Sequence, residues 1–93
     1  MIIGVCTIEL LVTDSNSLKD KRQVVKSLID RVRNRFNVSI SEVEHQDLWR
    51  RAVLGIACVA TDQQFASTML NKVIELVEGE PRVLVASCQM EML

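Results

Sequence analysis

Lys19, Lys21, Arg22, Lys26 and Arg33 carry the plainest chemistry in this sequence. At 100° per residue, Lys19, Arg22, Lys26 and Arg33 line one flank of a helix. A nucleic-acid backbone could follow such a stripe, since phosphate contacts need only charge and spacing. Ser17, with Lys19, Lys21 and Arg22, would stand at the start of that helix, where exposed N–H groups and cations suit an anion. Asp20 opposes an anion there, and no glycine-rich loop lets one approach. The bland alternative is a solvated helix face.

The other constellations are weaker. His45 sits among Glu44, Asp47 and Trp49. Imidazole and carboxylate can share a proton or a metal ion, but one His beside acids lacks a ligand spacing. A turn held by side-chain hydrogen bonds, with Trp49 pinning it to the core, accounts for these residues better. Cys6, Cys58 and Cys88 show no CxxC pairing and fall on expected core faces, so they read as small buried hydrophobes. The segment TDSNS after the first strand holds neither an acylphosphatase-like phosphate loop nor a metal-carrier CxxC. With a single His and no nucleophile pattern, the chain reads as non-enzymatic, without cofactor or metal.

The elements that must position the stripe follow from periodicity. Ser17 to Phe36 reads as a helix N-capped by Ser17, with Asp20 three residues on and Asn37 as a left-handed stop. Its apolar seam is Leu18, Val25, Ile29, Val32 and Phe36, with Leu28 nearby. Residues 2–12 are apolar almost throughout and predict a central strand. Val38–Ser41 alternates as a half-buried strand, with a bulge or strand end at Glu42-Val43. Arg51–Ala60 predicts its antiparallel partner, where Gly55 and Ala57 imply a close approach. Thr61 with Gln64 caps a second helix that ends at Glu78-Gly79-Glu80-Pro81. Arg82–Met92 predicts a last, edge strand, with Leu84, Ala86, Cys88, Met90 and Met92 on one face and Val83 and Val85 on the other.

The order βαββαβ, with right-handed crossovers and two amphipathic helices, predicts a single α+β domain over residues 1–93. It is a ferredoxin-like sandwich with strand order 4-1-3-2 and both helices on one face of an antiparallel sheet. The outer face lacks the strand aromatics on which such sandwiches stack RNA bases. It offers valines instead, among them Val5, Val53, Val59 and Val85, a candidate interface for a homodimer or a protein partner.

Net charge is −1, yet Ser17 to Phe36 holds seven Lys/Arg and two Asp, a local +5, leaving −6 for the remainder. A basic patch on an acidic body suggests a directed interaction. No apolar run is long enough to cross a membrane, no signal peptide is legible at Met1, and unpaired cysteines suit a reducing cytoplasm.

Three blocks in order resemble a known family: SLKDKR at 17–22, RNRFNVS at 33–39 and HQDLW at 45–49. They resemble the bacterial YlxP-like family, a domain of unknown function, over nearly the whole chain. The resemblance implies a ferredoxin-like fold. The family is often encoded near a large initiation factor and ribosome-binding factor A, which implies ribosome or RNA association. It supplies no active site to carry over. The expectation is therefore an RNA- or ribosome-associated accessory protein binding through the first helix. The alternative is a protein-interaction or ligand-sensing homodimer using the outer sheet face.

Overall fold

Strand β1 (Ile2–Val12) runs through the middle of the sheet, as its nearly unbroken apolar composition requires. In the computed structural model, which describes residues 1–93, it is followed by α1 (Leu18–Arg35), β2 (Ser39–Glu44), β3 (Arg51–Ala60), α2 (Gln63–Glu78) and β4 (Val83–Met92). All strand pairs are antiparallel and the order is β2-β3-β1-β4, the expected ferredoxin-like arrangement. Cys6, Ile8 and Leu10 of β1 share one core with Leu28 and Val32 of α1 and Leu70, Val73 and Val77 of α2. No helix is long and apolar enough to cross a membrane.

Two glycines stand where the layers close tightly. A Cβ on Gly4 would meet Leu70 and Ala66 of α2 at 3.0 and 3.2 Å. A Cβ on Gly55 would come within 2.9 Å of Val43. Val43 is the residue left over where the β2–β3 register shifts between Glu42 and Glu44, so the bulge expected there turns it across Gly55.

The structure departs from the expected pattern at four places. Phe36, in extended conformation, ends α1, and Asn37 is not left-handed. Asp62 rather than Thr61 caps α2, its carboxylate accepting the Phe65 amide at 2.8 Å. The core line of α1 is Lys21, Val24, Val25, Leu28 and Val32. That line lies roughly 60° from the expected seam at about 100° per residue, and Leu18, Ile29 and Phe36 are only half-buried. In β4 the register shifts between Glu9 and Leu10, so Leu10 faces Val85 while Ile8 faces Cys88. The added residue exchanges the faces of the strand, and Val83 and Val85 pack against the core.

Candidate nucleic-acid interface

Ser17 does what its side chain is suited for at a helix start: its hydroxyl accepts the Asp20 amide at 3.0 Å. Asp20 reaches back to the Asn16 amide at 3.2 Å, and buried Ser15 donates to the Ser17 carbonyl. Arg50 closes the turn from the other side, donating to the Ser15 carbonyl at 2.8 Å and to Asn16. The Asp20 amide is thus spent on the Ser17 cap, and the anion reading of this helix start loses one of its N–H donors.

Lys21 must be removed from the binding surface. It is 0% exposed, and its ammonium donates to Glu42 Oε2 at 2.7 Å and to the carbonyls of His45 at 2.9 Å, Gln46 at 3.2 Å and Arg51 at 3.4 Å. A buried ammonium needs a counter-charge and acceptors for its protons, and this one has both. Lys21 therefore ties the first turn of α1 to the β2–β3 connection. The expected pin, Trp49, is 55% exposed and does not anchor that turn. The turn carries one strained residue, His45, at φ 62. The sequence did hold a signal for Lys21. Residues 21, 25, 28 and 32 form an i, i+4, i+7, i+11 series whose other members are Val, Leu and Val.

The rest of the stripe is at the surface. Lys19, Arg22, Lys26 and Arg33 are all exposed. Arg22, Lys26 and Arg33 border a groove of about 640 Å³ between α1 and the edge strand β2, whose far wall includes Ser41, Glu42 and Gln46. Lys26 is 78% exposed and meets only Asp30, an i,i+4 pair at 3.0 Å, which holds it weakly in water. Arg33 donates to the Ile40 carbonyl at 3.0 Å, which fixes it at the mouth of a second, more apolar groove with Phe36, Val38 and Val59. Lys19 and Arg22 take part in none of the ion pairs.

The opposite flank of α1 is built differently. Arg31 and Arg82 converge on Glu80, whose carboxylate is nearly inaccessible, at 3.0 and 2.7 Å. Arg82 also donates to Ser27 of α1. Hydrogen bonds from Arg82 outweigh the burial of Glu80 and pull its carboxyl down to about 2. The sequence marked Glu80 only as part of a helix stop; its role depends on an arginine from α1, far away along the chain.

The outer sheet face keeps part of its expected apolar character. Val59 is 67% exposed and Val5 is half-buried. Val53 is only 4% exposed, and Val85 faces the core, so neither belongs to an open interface. Leu84 and Leu11, paired across β4 and β1, are exposed in their place. Cys6 and Cys58 are buried and Cys88 is exposed, with Cys6 and Cys88 Sγ atoms 3.8 Å apart. Burial, and then the neighbouring Cys88, push the Cys6 thiol up to about 12, so it stays protonated. No three His, Cys, Asp or Glu side chains come together as metal ligands.

Comparison with known proteins places this geometry in a family. In structure the chain is similar to two de novo designed proteins. It superposes on Foldit4 with a TM-score of 0.56 and 8% identity, covering 100% of this chain and 97% of the other. A design described as having a ferredoxin fold gives 0.54 and 16%, with coverage of 99% and 85%. A REP-associated tyrosine transposase bound to a REP hairpin gives 0.52 and 14%, covering 98% of this chain and 55% of that one. At these identities the likeness concerns the fold alone. In sequence, the uncharacterized protein YlxP of Bacillus subtilis is 39% identical over 82 residues, which is 88% of this chain and 89% of the relative. Residues 3–90 match the family described as protein of unknown function DUF503, and this chain belongs to that family.

Proposed function

We propose that this protein is a non-enzymatic, cytoplasmic accessory protein that binds RNA, alone or on the ribosome, through the flank of α1 carrying Lys19, Arg22, Lys26 and Arg33. The observation that supports this reading is the asymmetry of α1. On one side Arg31 is tied, together with Arg82 from the segment before β4, to a buried carboxylate, while on the other Arg22, Lys26 and Arg33 border an open groove and exposed Lys19 has no ion pair. Exposed cations spaced along one helix neutralise successive phosphates and read no base, so the expected binding is sequence-tolerant. Arg22, Lys26 and Arg33 share their groove with half-buried Ile29, which suits aliphatic stems with the charged ends at the surface.

Titration of single-stranded RNA at several salt concentrations tests this. With four phosphates neutralised, log K falls against log salt with a slope of about −3. Reversing Arg22 and Lys26 to Glu weakens every RNA sequence alike and flattens that slope. Equal losses from reversing Arg51, which already pairs with Glu9 on the outer sheet face, would point to diffuse attraction. A protein that binds neither RNA nor ribosomes at low salt would sink the proposal.

The second reading, a protein-interaction surface on the outer sheet face, is supported by exposed Val59 and by Leu11 beside Leu84. Leu11→Lys tests it from the sheet face that α1 does not cover.

A further inference from the structure

The two edges of the sheet are finished in opposite ways. β2 is short, carries the Val43 bulge and the charges of Glu42 and Glu44, and has the Arg33 guanidinium on its Ile40 carbonyl. These are the devices by which edge strands avoid pairing with other chains. β4 has none of them beyond the bulge near its start. It is ten residues long, its one charged residue is Glu91, and Pro81 precedes it rather than interrupting it.

The direction of its open hydrogen-bonding groups follows from the pairing with β1. Ile3 and Leu93 exchange both backbone hydrogen bonds, at 3.1 and 2.8 Å. By antiparallel alternation, Glu91 and Gln89 then turn their N–H and C=O groups toward β1, and Cys88, Met90 and Met92 turn theirs outward. No side chain or loop of this chain hydrogen-bonds to that outward row. The side chains of the same three residues lie on the helix-facing side, where Met90 and Met92 are half-buried and Cys88 is exposed. The edge thus presents an unpaired backbone ladder bordered by soft apolar side chains.

We propose that β4 pairs antiparallel with β4 of a second copy, joining two sheets into one of eight strands about a two-fold axis near Gln89 and Met90. Three features of the strand favour a second copy as occupant. Antiparallel self-pairing there sets Met90 and Cys88 of one copy against the same apolar row of the other. It sets Glu91 opposite Gln89 or Ser87 rather than opposite its own equivalent, so no like charges meet. The interface is isologous and therefore closes at two chains, which consumes both open edges and leaves only the protected β2 edges exposed. This pairing does not depend on the RNA reading and uses a different surface from Val59.

Sedimentation over a wide concentration range, with a thiol reductant present to exclude cross-linking through Cys88, tests it. The expected species has about twice the 10.5 kDa of one chain. Met90→Lys and Met90→Pro are expected to raise the dissociation constant by about tenfold or more, since one adds an edge charge and the other removes an outward N–H. Val59→Lys leaves it unchanged. Amide exchange of the unaltered protein gives a reading independent of whether the variants fold: the amides of Cys88, Met90 and Met92 slow at concentrations where the dimer forms. A protein monomeric throughout overturns the proposal and leaves the edge to a strand of another protein. A dimer whose β4 amides exchange as in the monomer, or that Val59→Lys breaks, overturns it as well.

Discussion

Similar cations gather along the two flanks of α1, on one of them Arg31 of the helix with Arg82 from the segment before β4, and serve different ends. On one, Arg31 and Arg82 hold the buried Glu80 carboxylate, so their charge is part of what joins α1 to the segment before β4. On the other, Arg22 and Lys26 face water and a groove, and Arg33 gives only one hydrogen bond to a carbonyl. Beneath the exposed flank, Lys21 belongs with the structural group, since four acceptors enclose it. The difference teaches that a count of basic residues on a helix says little about binding until each partner is known. An arginine satisfied by a buried carboxylate resists release to a phosphate, because release leaves that carboxylate unpaired.

Substitutions can break or sharpen this division. The largest effect is expected at Lys21. Lys21→Met leaves Glu42 without its counter-charge and takes the ammonium's hydrogen bonds from three carbonyls, of which His45 keeps only the Leu48 amide, and should cost about 3–5 kcal/mol in urea unfolding. A loss within error would mean that water replaces the ammonium easily and that the two kinds of cation are not distinct. Leu28→Ala lies on the core line between the flanks and should cost about 2–5 kcal/mol, as a truncation at a fully buried site does. A much smaller value would show that α1 is rotated from the phase described.

Glu80→Gln comes next, at about 1–3 kcal/mol near neutral pH, since it removes charge-assisted hydrogen bonds. Its pH dependence has a definite sign. The Glu80 carboxyl is depressed from 4.5 to about 2 in the folded protein, so its stabilisation is complete above about 4.5. It fades as pH falls toward 2, because only the unfolded chain takes up the proton early. Thermal unfolding followed from pH 6 to pH 2 should therefore show a shallower acid limb in Glu80→Gln than in the parent. Parallel curves would remove Glu80 as a source of that limb. The smallest stability effect is expected on the exposed flank. Arg22→Glu and Lys26→Glu together should change unfolding by only about 0.5 kcal/mol, while flattening the salt dependence of the RNA binding proposed above. A large stability loss there would assign those cations to the fold as well.

Periodicity and composition made most of the architecture legible. The β1 run, the Ser17 cap and the bulge at Val43 follow from local residue types, because each depends on neighbours a few positions away, and the missing side chain of Gly55 marked a close approach without naming Val43 as its partner. The four exposed cations were legible for the same reason: residues three, four and seven apart on a helix share a flank whatever surrounds it. Several features were not local. Lys21 is buried because acceptors between Glu42 and Arg51 converge on it. Val85 faces the core because one added residue in β4 exchanges the faces of the strand, and its alternation of apolar side chains fits either phase. Trp49 stays exposed because the turn is held by an ammonium, leaving the indole no structural task there. The sequence by itself determined the elements, their order and the position of the basic stripe. The tertiary structure decided which of the charges have partners, since burial and pairing depend on segments that meet only when the sheet and helices close.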